Sequence, residues 1–131
     1  MLNRRHLLAA LTLSVALVFA GAVSAADKKP FDQKAFDEAQ AAGKPILVEV
    51  HAPWCPICKA QAPTLSKLRG DPKYKELVSF EIDFDSQKDL LRKFKVTKQS
   101  TLIVYKGKEE VGRSTGDRDP GSITALVAKG I

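Results

Sequence analysis

Cys55 and Cys58 are the only cysteines in the 131 residues, and two residues separate them. Thiols at this spacing can pass between dithiol and disulfide without the backbone being rebuilt, so thiol–disulfide exchange is the first chemistry to consider. Trp54, Pro56 and Ile57 complete the stretch Trp54-Cys55-Pro56-Ile57-Cys58. A nearly continuous apolar run, Ile46 to His51, precedes it, and Ala62, Leu65 and Leu68 follow at helical spacing. Cys55 is thereby expected at or just before a helix N-terminus, where unpaired backbone N–H groups and the positive end of the helix dipole favour a thiolate. Cys58, a turn further on, is expected to be the more buried of the two and suited to attack a mixed disulfide formed at Cys55. Pro56 fits the first turn, because the helix has no use for its missing N–H.

Two other uses of the pair compete with exchange. As a structural staple, a bridge over so few residues restrains the unfolded chain by only about 2 kcal/mol, a poor return on the spacing. As a metal site, the thiols and His51 make three ligands where structural zinc takes four, and no second Cys pair or His cluster accompanies them. Copper(I), which accepts fewer soft ligands, stays open as the alternative, in a copper- or thiol-binding module without efficient turnover. His51 itself reads as a packed residue at a strand end, so no metal ligand set and no cofactor is assigned. Glu49 is the one carboxylate in the apolar run. If buried, it would have a raised pKa and could serve as a general base; the competing reading turns it to solvent.

The elements that would position these residues follow from periodicity. Phe31, Ala35, Phe36 and Ala39 predict a helix over Asp32 to Ala42, stopped by Gly43 and Pro45. Ile46 to His51 predicts a strand covered on both faces. The helix after the Cys pair runs to the breaker cluster Gly70, Asp71 and Pro72. Val78 to Phe84 predicts a second strand, and Ser86 with Asp89 has the spacing of a capping box for a helix carrying Leu90, Leu91 and Phe94. Thr101 to Tyr105 and Glu109 to Arg113 predict a hairpin about Gly107. Asp119 as N-cap and Pro120 at the first position open a last helix with Ile123, Leu126 and Val127 inward. Residues 27 to 30 read as a polar lead-in. This order predicts an α/β three-layer sandwich with a mixed sheet and helices on both faces, the Cys pair lying at the carboxyl end of a strand, where ligands gather in such folds.

Length allows one domain. The chain opens with Arg4 and Arg5, an apolar run from Leu7 to Val23, and small residues up to Ala26, which has the form of a secretory signal peptide. Residues 1–25 are assigned to the signal peptide, with cleavage after Ala25 or Ala26, and 26–131 to the globular domain. The expected location is the periplasm, with membrane contact only through an uncleaved leader, and the twin arginines alone do not define the export route. Such a space is oxidising, so a pair kept reduced there needs an electron supply. The net charge is +6; the 21 basic residues less Arg4 and Arg5 leave 19 against 15 acidic, or +4. These charges are scattered rather than gathered in a stripe with aromatics, which argues against nucleic acid as a partner.

The residues from Ile46 to Lys59 around Trp54-Cys55-Pro56-Ile57-Cys58, with Pro63 five residues beyond Cys58, closely resemble the active-site region of thioredoxin-fold proteins. The resemblance continues through Glu81 to Asp85, Phe94 to Val96, Thr101 to Gly107 and Gly116, most of the chain after the leader. It implies a thioredoxin-like fold and a thiol:disulfide oxidoreductase of undetermined direction, a monomer acting on protein or small-molecule disulfides with a redox partner protein. It also implies an exposed attacking thiol at Cys55, a resolving thiol at Cys58 and a buried acid at Glu49 that moves a proton at Cys58. Trp54, Pro56, Gln99, Ser100 and Thr101 would line the substrate groove. One departure stands out: where the family presents a cis-proline before the strand Thr, this chain has Ser100. A non-proline cis bond costs about 3 kcal/mol, so Gln99–Ser100 is expected to be trans, with the Ser100 hydroxyl as an added donor near the sulfurs.

Overall fold

The computed structural model describes residues 27–131, so the leader and its cleavage site lie outside the described residues. Five strands and four helices alternate along the chain: β1 (Lys28–Pro30), α1 (Gln33–Ala41), β2 (Pro45–His51), α2 (Pro56–Gly70), β3 (Val78–Asp83), α3 (Lys88–Phe94), β4 (Thr101–Lys106), β5 (Glu109–Thr115) and α4 (Pro120–Ala128). A single 3₁₀ turn, Pro72–Tyr74, follows α2. The sheet order is β1-β3-β2-β4-β5. β1 and β2 run parallel to β3, while β4 is antiparallel to both β2 and β5. This is the mixed α/β sandwich expected from the element order, with β2 at its centre. Among the described residues no helix is long and apolar enough to cross a membrane.

Alternation along the strands divides the core in two. Ile46, Val48 and Val50 of β2 join Phe80, Ile82 and Ile103 beneath α1 and α3. Phe31, Phe36 and Phe94 stack edge-on there, with ring centroids 5.3–5.5 Å apart. Such tilted and edge-to-face pairs add to the area they bury. On the other face Leu47, Leu102 and Val104 meet Leu65 and Leu68 of α2 and Ile123, Leu126 and Val127 of α4. By the same alternation Glu49 and His51 share the face of Leu47, towards α2.

Local capping explains most boundaries. Asp32 accepts the Ala35 N–H at 2.7 Å and Asp119 accepts the Ser122 N–H at 2.7 Å, each satisfying an orphan donor of a first turn. Gly107, at φ +58°, makes the β4–β5 turn and brings its Cα side against Gly43; a Cβ there would lie 3.3 Å from the Gly43 Cα.

Two expectations need correction. Ser86 does not cap α3: Gln87 occupies the N-cap without a side-chain bond, and the Ser86 hydroxyl donates to Asp83 instead. The helix starts one residue later than the box requires, which puts Asp89 at the second helical position instead of the third. The segment read as a lead-in is a strand. Lys28, Lys29 and Pro30 pair with Ser79, Phe80 and Glu81, and the next N–H, that of Phe31, donates to Glu81 at 2.8 Å.

Candidate active site

The two cysteines sit where β2 gives way to α2. Cys55 is the N-cap of α2, and its Sγ accepts the backbone N–H of Cys58 at 3.1 Å, so one sulfur takes up a donor the helix leaves free. Pro56 occupies the first helical position, as expected. Both residues are free thiols. The expected difference in exposure is not found: Cys55 is 0% exposed and Cys58 5%. Ala52 completes a small apolar cluster with the pair, and Ile57 and Phe84 pack against it. Burial pushes the Cys58 thiol up to about 11; the Cys55 sulfur adds to the rise, while backbone groups of Ala52 and Ser100 oppose it. At neutral pH Cys58 is therefore a thiol that must lose a proton before it can attack.

Glu49 is buried rather than turned to solvent, at 6% exposure. It lines, with Cys58, a cavity of about 110 Å³ whose wall also includes Lys28, Lys59, Gln61 and Arg69. Burial raises the Glu49 carboxyl above its usual 4.5; the Arg69 guanidinium, and more weakly Lys28, pull it back. Arg69 Nη1 lies 2.9 Å from Glu49 Oε2. His51 Nδ1 lies 3.8 Å from Glu81, which also pairs with Lys28.

Of the residues expected to line a groove, Trp54 precedes Cys55, and Gln99 and Ser100 lead into β4 at Thr101. Trp54 is 55% exposed. Its indole N–H donates to Asp85 at 2.9 Å, and its ring stands edge-on to Phe84 with centroids 6.3 Å apart. Gln99–Ser100 is a trans peptide, as expected, and Ser100 has φ +63°, the left-handed region where a side chain is strained. Its N–H donates to Val50 at 2.8 Å, and its carbonyl accepts from Gly116 at 3.2 Å and from Gln61 at 3.2 Å. The hydroxyl is not a donor to sulfur, because it bonds the Gln99 carbonyl beside it. Thr101 Oγ1 donates to Lys98 at 2.8 Å and meets Thr115 Oγ1 at 3.0 Å, closing the mouth of the hairpin.

Arg69 and Gln61 were not foreseen. Gln61 is 3% exposed and spans from α2 to the Ser100 loop, donating to the Ser100 and Asp117 carbonyls at 3.2 and 2.9 Å. The signal was present: Cys58, Ala62, Leu65 and Arg69 step by 4, 3 and 4 residues, and Cys58, Gln61 and Leu65 by 3 and 4. Both polar residues thus fall on the stripe that α2 turns to the sheet.

A dithiol capping a helix at the carboxyl end of the central strand of such a sheet defines, with its relatives, a thiol:disulfide oxidoreductase. A family model described as Thioredoxin matches residues 27–129, and the chain belongs to the thioredoxin family. It is 34% identical over 97 residues to Thioredoxin-2 of Saccharomyces cerevisiae, an overlap of 73% of this chain and 90% of that protein. It is 33% identical to a thioredoxin of Chlamydia muridarum over 64% of this chain and 80% of that one. Among solved structures, Trxlp from Edwardsiella tarda superposes with a TM-score of 0.74 at 42% identity, covering 77% of this chain and 98% of that one.

Proposed function

We propose that this protein is a periplasmic thiol:disulfide exchanger of cell redox homeostasis, exported by its N-terminal leader, that acts on protein disulfides with a redox partner protein. Cys55 attacks the substrate disulfide and Cys58 resolves the mixed disulfide; Glu49 accepts the Cys58 proton. Trp54, Pro56, Gln99, Ser100 and Thr101 form the groove that receives the substrate. The observation that carries the reading is the Cys55 sulfur at the N-cap of α2, with a buried carboxylate in the cavity under Cys58. Because both cysteines are buried, the surface over them opens when substrate arrives.

The test is single-turnover exchange with a disulfide-bonded peptide. Cys58→Ser should accumulate a mixed disulfide at Cys55, and Cys55→Ser should lose exchange by roughly 10³-fold or more, as removal of a nucleophile does. Tight one-to-one copper(I) binding by the reduced protein, with no exchange, would instead favour the holder without turnover. Fractionation of intact cells tests the location: a protein that stays in the cytoplasm with its leader attached removes the export claim. The reduction potential of the pair assigns the direction of electron flow.

A further inference from the structure

Arg69 lies eleven residues beyond Cys58, three turns along the same helix, and its head group returns to the sheet under the redox pair. The ion pair with Glu49 is enclosed, with side-chain exposures of 11% and 8%. Enclosure of this kind makes the pair expensive to assemble and strongly felt by its neighbours. Glu49 and Cys58 share the cavity, and at about 110 Å³ with a polar wall it has room for water to connect them. The other charges around it come from every neighbouring element. Lys28 of β1 and Lys59 of α2 line the cavity, while Glu81 of β3 lies between Lys28 and His51. None of these is shown in hydrogen-bond contact with Glu49; Arg69 is.

We propose that Arg69 is a positioning residue for the exchange reaction: it holds the Glu49 carboxylate ionised and aimed into the cavity, so that Glu49 can take the Cys58 proton in the resolving step. This rests on the exchange reading above. In that step the Cys58 thiol gives its proton to Glu49 through the cavity, and the Cys58 sulfur attacks the Cys55 sulfur of the mixed disulfide. A Cys55–Cys58 bond forms and the bond from Cys55 to the substrate sulfur breaks. The electron pair leaves on the substrate sulfur, which takes a proton from solvent; the protein dithiol is oxidised and the substrate disulfide reduced. Without Arg69, burial acts on Glu49 with its chief opposing charge gone, so less carboxylate is available near neutral pH.

The experiment measures the resolving step by rapid quench from pH 5.5 to 9, in wild type, Arg69→Gln, Arg69→Lys, Glu49→Gln and the double variant. Arg69→Gln should slow resolution by up to about tenfold on the acid limb of the profile, the deficit shrinking as pH rises, because an opposite charge at contact distance shifts a carboxylate by about a unit or more. Arg69→Lys should restore most of the wild-type profile, which a loss of packing alone would not predict. In the Glu49→Gln background Arg69→Gln should change the profile no further. A carbon-detected NMR titration of the Glu49 carboxyl, which needs no turnover, should move upward in Arg69→Gln. An active wild type with an unmoved acid limb or an unmoved titration in Arg69→Gln overturns the positioning role alone. A wild type that never forms the mixed disulfide overturns the exchange reading, and this role with it.

Discussion

The two faces of the sheet both bury an apolar core but differ beside the dithiol. Beneath α1 and α3 the packing is apolar and aromatic, from Phe31, Phe36, Phe80 and Phe94, around strand residues that include Val48 and Val50. Beneath α2 the same strand turns Glu49 inward to meet Arg69, and α2 contributes the buried Gln61. One strand thus presents only hydrocarbon on one side, and a charge next to Leu47 on the other. The difference is local rather than global: both faces bury an apolar core, and the α2 face adds buried polar groups next to the dithiol.

The largest effect expected from this contrast is on the dry side. Phe80→Ala, at a fully buried ring, should cost about 3–5 kcal/mol in urea unfolding and leave the pH profile of exchange intact. A changed profile would show that the two faces are not separable. Glu49→Gln tests the wet side, where loss of a general base should slow resolution by roughly 10²-fold at neutral pH. Its stability should move the other way. Burial raises the Glu49 carboxyl, so the folded chain keeps the proton to higher pH than the unfolded chain. That contribution is fully present below 4.5 and is lost as pH rises through the folded value. Glu49→Gln, which keeps an acceptor for Arg69, should therefore unfold at higher urea than wild type at pH 8 and show no advantage at pH 4. A variant less stable than wild type at pH 8 would mean that the ion pair supports the fold.

Gln61→Ala should cost about 1–2 kcal/mol by stripping a donor from two buried or half-buried carbonyls. Amide exchange at Ser100 and Thr101 should quicken; unchanged exchange there would mean that the bonds to Val50 and Gly116 hold the loop without Gln61. The smallest effect belongs to Ser79, whose buried hydroxyl has no partner among the described residues. Ser79→Ala should gain up to about 1 kcal/mol, and a clear loss would reveal a hidden partner for that oxygen.

The sequence disclosed the fold where a period was long enough to read. Ile46 to His51, the helical stripe after Cys58 and the Asp119-Pro120 start of α4 all have strong local patterns, and each lies where expected. β1 was illegible because three residues, two of them lysine and one proline, contain no alternation; its pairing comes from β3. The Ser86 spacing misled because α3 starts one residue later, with Gln87 at the N-cap. At the site, Glu49 stands out as a charge among apolar residues, whereas Arg69 and Gln61 fall on a stripe whose apolar members carry the helical period. The burial of Cys55 is a different case: helix position says where a sulfur sits, not how closely its neighbours pack around it.

The sheet ends on β1 and β5, and both rims carry features that discourage further growth. β1 is three residues long with Lys28, Lys29 and Pro30, and β5 bears Glu109, Glu110 and Arg113. Short, charged or proline-bearing edges are poor templates for a strand from another molecule. Unpaired rims of this kind favour solubility at high concentration, so that crowding such molecules together should produce repulsion before fibrils.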